Sequence, residues 1–223
     1  MLYHRTACMA ADDVLVELID YCYRKFVNLI EKCSKLGDGE YIFPSKKPSK
    51  SDTALNPEQE QDNSFEQVEW NCVMACFSII RFISDHTESL PVPIIHQMME
   101  NNDIPCVLVP LLEMKPWIRK NHKGEEEKYE DQKWQVIKEH DKGKVTKVEA
   151  QIWLTIYNMF MTADSSRKYE ITTFRKQNML RLRKFMNEVL LDQLPMLTPM
   201  LRGLEEMNLM ADTNVQSKNS FIV

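Results

Sequence analysis

Cysteine and histidine are the side chains in this sequence best suited to bind a metal ion, so their spacing is the first question. Cys72 and Cys76 are four residues apart, which on a helix places both sulfurs on one side. A structural zinc site needs four ligands, usually two closely spaced pairs, and no second pair follows at a suitable distance. We therefore predict that these thiols belong to the hydrophobic core. A cysteine-based, metal-dependent module remains the alternative.

Catalytic motifs are not found among the remaining polar residues. The five histidines form neither H-x-x-x-H nor H-E-x-x-H, and no serine lies in G-x-S-x-G. With only 5 glycines, the chain also has no glycine-rich phosphate loop. We predict a protein that is not an enzyme, with no catalytic residue, no metal ligand and no bound cofactor.

A basic run at residues 167–184 is the strongest charge feature. It holds seven basic side chains and one acidic side chain, Glu170, in a chain of net charge −5. A solvated helix face is one interpretation, and a surface for an acidic protein partner is another. A nucleic-acid-binding helical repeat is the third, although no aromatic platform for bases accompanies the charge. We predict four partner-binding residues in this run: Lys176, Arg181, Arg183 and Lys184.

Composition narrows the class of protein further. The 223 residues are 43% hydrophobic, enough for a sizeable core, and the pI is about 5.6. No apolar run approaches the length of a membrane-spanning helix, and the first residues do not resemble a signal peptide. We therefore expect a cytoplasmic protein with no membrane span and no nucleic-acid partner.

Hydrophobic periodicity predicts helices along most of the chain. We predict a first helical segment at 1–36, a disordered loop at 37–63, a helical body at 64–210 and a polar tail at 211–223. The loop prediction depends on Pro44, Pro48 and Pro57 and on tracts of polar residues. A capping box, Ser64-x-x-Gln67, predicts where the next helix begins.

That helix has apolar residues on more than one side. We predict that its buried stripe begins with Phe65, Val68 and Cys72, and Trp70, Phe77 and Phe82 lie off that stripe. A helix that is apolar on two sides is typical of one packed between neighbours. The prediction is an all-α fold of about seven to eight helices, either an armadillo-like solenoid or a bundle.

Residues 115–147 are polar, and we predict an irregular segment whose aromatics pin it to the helical body. Residues 133–138 are the one stretch suited to a short strand. A second capping box, Thr146-x-x-Glu149, predicts the next helix, with Trp153 in the core. One helix from Thr172 to Leu194, with Val189 on its buried stripe, and a last helix ending near Leu209 complete the prediction.

Five blocks of sequence resemble the family of zinc finger MYND domain-containing protein 10. They occur in the family's order and cover nearly the whole chain. The blocks are A11-DDVLVELIDYCYRK-25, I80-RFISD-85, N102-DIPCVLVPLLE-113, W153-LTIYN-158 and L190-LDQLP-195.

The resemblance implies a cytoplasmic scaffold or co-chaperone for preassembly of axonemal dynein arms, required for motile cilium assembly and movement. It implies dynein arm chains as clients and chaperones, an immunophilin and a leucine-rich-repeat co-factor as partners. Centriolar satellites are a further expected location. Family members carry a C-terminal zinc-binding MYND finger, whereas this sequence has no cysteine after Cys106 and no histidine after His140. We therefore expect a fragment or short form, with zinc only in the absent finger.

Overall fold

A computed structural model describes residues 12–36, 57–121, 123–161 and 169–209, and these are mainly helical, as predicted. The described residues form eight α-helices: α1 Asp12–Lys35, α2 Pro57–Ser84, α3 Val92–His96, α4 Ile104–Met114, α5 Lys147–Met161, α6 Thr173–Leu180, α7 Glu188–Gln193 and α8 Thr198–Leu209. A π-helical turn, Gln97–Asn101, continues α3 toward α4.

The long helices form three pairs that stack in two layers. α1 contacts α2, α4 contacts α5, and α6 contacts α8. Along one layer α1 contacts α4 and α4 contacts α6, while along the other α2 contacts α5 and α5 contacts α8. Side-by-side stacking of helical pairs is the arrangement of a short solenoid, which is one of the two predicted alternatives.

The central pair, α4 and α5, supplies much of the core. α4 is apolar on nearly every side, and Ile104, Leu108 and Leu111 are buried. α5 buries Trp153 completely, with Ile152 and Ile156 beside it. Both helices need apolar neighbours on more than one side, and the flanking pairs provide them.

A three-stranded antiparallel sheet connects α4 to α5, where the sequence predicted an irregular segment. Its strands are β1 Ile118–Lys120, β2 Glu126–Glu130 and β3 Lys133–Val136. Asp131 and Gln132 form the β2–β3 turn with φ of 50° and 62°. A two-residue turn with positive φ at both positions matches the twist of a hairpin, but it usually contains Asn-Gly or Asp-Gly. The stretch 133–138 that suited a short strand does contain β3. The prediction missed β1, β2 and the hairpin, because Asp-Gln lacks that signal.

Aromatic side chains hold the sheet against α2, as predicted for this segment. The Trp70 ring lies 5.6 Å from that of Tyr129 and 5.9 Å from that of Trp134. The Tyr129 hydroxyl donates to Asn71 Oδ1 at 2.6 Å and accepts from Gln67 Nε2 at 3.0 Å. The hydroxyl of Tyr129 is thus satisfied, while the three rings pack against one another between the sheet and α2.

Two predicted boundaries need correction. α2 begins at Pro57, not at Ser64, because proline suits a first helical turn and the Glu and Gln residues that follow are good helix formers. Polarity there argues against burial but not against a helix. The rest of the predicted loop, 37–56, lies outside the described residues, as do 1–11 and the tail. The predicted helix from Thr172 is also interrupted, since a 3₁₀ turn at Arg181–Phe185 separates α6 from α7.

Three residues predicted on buried stripes are exposed instead. Phe65 is 70% exposed, Val68 57% and Val189 54%. For α2 the predicted stripe also included Val73, Cys76 and Ile80, which are buried beside Phe77. The stripe was therefore predicted too wide, because it joined an exposed apolar side to the buried one. For Val189 the cause is the 3₁₀ turn, which changes the helical spacing after Leu180.

We predict that Trp153→Ala lowers the free energy of unfolding by about 3–5 kcal/mol, because it leaves a large cavity between the layers. Phe174→Ala is the control, since Phe174 is 66% exposed and its loss should cost no more than about 0.5 kcal/mol. Denaturant unfolding followed by circular dichroism measures both. Equal stability of the two variants would place the core elsewhere.

Candidate interaction surface

The four residues predicted to bind a partner do not share one helix. Lys176 lies half-buried in α6, which ends at Leu180. Arg181, Arg183 and Lys184 lie in the 3₁₀ turn, where Arg181 and Lys184 are exposed and Arg183 is half-buried. The run is therefore not one continuous helix face.

Glu113, in the last turn of α4, pairs with two cations of this turn. The Arg181 Nε donates to Glu113 Oε1 at 3.1 Å, and the Lys184 Nζ lies 2.7 Å from the same oxygen. Burial raises the pKa of Glu113, but hydrogen bonds from Arg181 and Lys184 outweigh it, so the pKa is lowered overall. The carboxylate of Glu113 thus balances one of these two cations. One positive charge remains on this cluster to attract an acidic group.

Arg175 belongs to the same basic run but is buried and holds the fold together. Its Nε donates to Asp103 Oδ2 at 2.8 Å, and its Nη2 donates to Glu100 Oε2 at 3.1 Å and to the Met99 carbonyl at 3.0 Å. The guanidinium also lies 4.3 Å from the ring centroid of Tyr169. These contacts attach the first turn of α6 to the π-helical turn and to the start of α4.

Arg175 and the groups around it have shifted pKa values. Burial opposes the charge of Arg175, but hydrogen bonds to Glu100 and Asp103 outweigh burial and raise the pKa. Burial also raises the pKa of Tyr169, whose hydroxyl donates to Asp103 Oδ1 at 2.6 Å. Burial raises the pKa of the Cys106 thiol to about 12. Because a thiol with so high a pKa stays protonated near neutral pH, Cys106 is a core residue and not a nucleophile.

Lys184 and Glu113 also lie at the edge of a cleft of about 620 Å³. The cleft is enclosed by the end of α4, the sheet, residues 141–145, the start of α5 and the turn that leads to α7. Its apolar lining is formed by Met114, Ile118, Ile137, Val145, Phe185, Val189 and Leu190. Its charged lining is formed by Lys115, Lys128, Lys142, Lys144, Lys184, Glu113, Glu126, Asp141 and Glu149. A lining that combines apolar side chains with lysines and carboxylates suits a peptide that carries both apolar and acidic side chains.

A partly buried ion pair lies in one wall of this cleft. The Lys115 Nζ donates to Glu149 Oε1 at 2.8 Å, and the Glu149 side chain is only 8% exposed. The backbone amide of Glu149 donates to Thr146 Oγ1 at 3.2 Å, which confirms the predicted start of α5. The side chain of Glu149 does not complete the capping box, because it binds Lys115 of α4's C-terminal end instead.

Within the described ranges, the cysteines and the charged groups not yet mentioned form no further site. Cys76 is buried in the core on α2, as predicted. The prediction was wrong for Cys72, which is half-buried outside the core cluster, on the apolar side of α2 that also carries the exposed Phe65 and Val68. No three Cys, His, Asp or Glu side chains lie close enough to hold a metal ion in the part of the chain that the structure describes. In the same ranges no helix is long and apolar enough to cross a membrane.

The fold and the surface define a helical-repeat protein, stacked in two layers, with a charged cleft at one end of its central pair. The chain is 27% identical over 212 residues to the zinc finger MYND domain-containing protein 10 homolog of Drosophila melanogaster. The match covers 95% of this chain, which confirms the predicted resemblance to that family. The chain spans 45% of the relative's length. No family model matches the sequence. No solved structure matches the fold.

We predict that Arg175→Met lowers the free energy of unfolding by about 2–4 kcal/mol, because Asp103 and Glu100 lose the cation that compensates them. The free energy of unfolding of Arg175→Lys should lie between those of Arg175→Met and the unaltered chain. An ammonium keeps the charge but cannot bridge both carboxylates. Arg181→Met is the control, and its exposed pair should be worth less than about 1 kcal/mol. Denaturant unfolding measures the free energies of unfolding of the three variants and so checks their order. An Arg175→Met variant as stable as Arg181→Met would show that the cluster does not attach α6.

Proposed function

We propose that this chain is a non-enzymatic cytoplasmic scaffold or co-chaperone that acts in preassembly of axonemal dynein arms, and so in the assembly and movement of motile cilia. The match over 95% of the chain to a zinc finger MYND domain-containing protein 10 homolog is the observation that carries the proposal. The shape of the molecule agrees with it, because stacked helical pairs offer an extended surface for other proteins.

The proposed clients are dynein arm chains, and the proposed co-factors are chaperones, an immunophilin and a leucine-rich-repeat protein. In this proposal the chain acts without zinc and without any other cofactor. Centriolar satellites are the proposed location beside the cytoplasm.

We propose that the cleft is where an acidic and apolar segment of a client binds. Five of its charged lining residues are lysines and four are carboxylates, so its net charge is positive in a chain of net charge −5. Its apolar lining residues can contact aliphatic side chains, which a nucleic acid does not have. Of the basic run beside it, Arg175 is buried and Arg181 and Lys184 are paired with Glu113, which leaves little charge for phosphates.

Affinity purification of the tagged chain from ciliating cells tests this proposal. We expect dynein arm chains to be recovered with the unaltered chain. We expect their recovery to fall several-fold with Lys142→Glu/Lys144→Glu, because the edge of the cleft then repels an acidic segment. Both lysines are more than half exposed, so the substitutions should leave the fold intact.

The matched control is Lys133→Glu/Arg202→Glu, which changes the net charge equally at exposed residues outside the cleft. Its recovery of dynein chains should equal that of the unaltered chain. Equal losses with both double variants would mean that net charge, and not the cleft, controls binding. Failure to recover dynein chains with any form would contradict the proposed function itself.

A further inference from the structure

A loop at the edge of the cleft carries two of its lysines. Residues 138–145, which we call the lysine strap, lead from the sheet to α5, and Lys142 and Lys144 belong to the cleft lining. The backbone hydrogen bonds inside the strap are short-range. The Asp141 amide donates to the Lys138 carbonyl at 2.8 Å, and the Lys144 amide donates to the Asp141 carbonyl at 3.1 Å. Such turns fix the local shape of the strap but not its position relative to the other walls of the cleft.

The two lysines are oriented by acids of the same strap. The Lys142 Nζ lies 2.8 Å from Glu139 Oε2, and the Lys144 Nζ lies 2.7 Å from Asp141 Oδ1. Because both partners move with the strap, the position of its backbone determines where the two ammonium groups lie along the cleft.

Gln193, the last residue of α7, attaches the middle of the strap to the helix. Its Oε1 accepts a hydrogen bond from the Val145 amide at 2.8 Å, and its Nε2 donates to the Gly143 carbonyl at 3.1 Å. The same Nε2 donates to the Val189 carbonyl of α7 at 2.9 Å, which holds the side chain against its own helix. A primary amide can accept and donate at once, so one side chain binds the backbone on both sides of Lys144.

Gly143 allows the strap to come close to α7. Its φ of 81° lies in the left-handed region that favours glycine. A Cβ added at this position would lie 3.8 Å from the Val189 Cγ1, so the backbone of the strap passes close to that side chain. The strap therefore meets α7 at two residues, Val189 and Gln193.

The position of Gln193 separates its role from those of core packing and direct binding. Gln193 is exposed and lies outside the cleft lining. The two ends of the strap have attachments of their own. The Ile137 amide donates to the Glu126 carbonyl of β2 at 2.8 Å, and the buried Thr146 caps α5. Loss of the Gln193 amide should therefore release the middle of the strap and leave the fold intact.

We propose that Gln193 is a positioning residue of the cleft, which holds the lysine strap where Lys142 and Lys144 meet the acidic side chains of a client segment. The inference rests on the proposed function, because it takes the cleft as the client site. A strap that Gln193 already holds needs no ordering when the segment binds. A released strap must be ordered at that moment, which weakens binding.

Hydrogen exchange of the whole chain, followed by mass spectrometry, tests whether Gln193 holds the strap. In Gln193→Met, which keeps the length of the side chain but removes the amide, peptides that cover 141–146 should exchange about 10-fold faster. Gln177→Met is the matched control, since Gln177 is an exposed glutamine of α6 outside the cleft. Its strap should exchange as in the unaltered chain, and both variants should keep the melting temperature. Unchanged exchange of the strap in Gln193→Met overturns the inference.

Binding of an acidic and apolar probe tests whether the held strap serves the cleft. The probe is a short fluorescein-labelled peptide of alternating glutamate and leucine, and fluorescence anisotropy measures its Kd. We expect Gln193→Met to raise the Kd about 5-fold and Gln177→Met to leave it unchanged.

A double-mutant cycle then shows whether Gln193 acts through the lysines. In a chain that already carries Lys142→Ala/Lys144→Ala, Gln193→Met should weaken binding no further, because the strap has no ammonium groups left to position. The same loss in both backgrounds would mean that Gln193 acts in another way, and the inference is then wrong. If the unaltered chain and Gln193→Met bind the probe equally, this inference alone fails. If the unaltered chain does not bind it, the proposed client site fails and this inference fails with it.

Discussion

Burial of α4 and α5 is the constraint on which the rest of the structure depends. α4 buries residues around most of its circumference, among them Ile104, Val109 and Leu112, so it must be surrounded. α1, α5 and α6 all contact it, and α5 in turn contacts α2 and α8. The first and third pairs therefore cover two sides of one apolar centre. The pairs stack because the apolar residues of α4 and α5 cannot remain exposed to water.

Charged groups determine how the third pair joins that centre. At one end of α4, Asp103 and Glu100 hold Arg175 of α6. At the other end, Glu113 pairs with Arg181 and Lys184 of the following turn. The basic run is thus largely an attachment device, and its partners lie at both ends of one helix. The same attachment places the wall formed by Phe185 and Leu190 against the sheet and thereby forms the cleft.

The sequence predicted the helices well because long apolar periodicities depend on local spacing. It predicted the N-caps Thr146 and Thr172 because capping needs only three or four neighbouring residues. It failed where tertiary contacts decide. Nothing in the spacing of α2 tells which of two apolar sides is covered, so Phe65 was placed in the core. The Asp131–Gln132 turn has no strong sequence signal, and the hairpin was missed.

The candidate surface was predicted in part. Charge density alone indicated the run that contains Arg181 and Lys184. It gave no sign that Arg175 is buried, since that depends on Asp103, 72 residues away along the chain. Glu113 and the Lys115–Glu149 pair were also missed, because their partners come from other elements. Long-range ion pairs of this kind leave no local pattern in a sequence.

Hydrogen exchange of the native chain, followed by mass spectrometry, tests the central claim most directly. Peptides from α4 and from α5 should exchange most slowly, because their amides open only when the whole stack unfolds. Peptides from α1, α2, α6 and α8 should exchange faster, since each outer pair packs against the central pair on one side only and can open locally. Exchange in α4 and α5 as fast as in the outer pairs would contradict a stack built around its central pair.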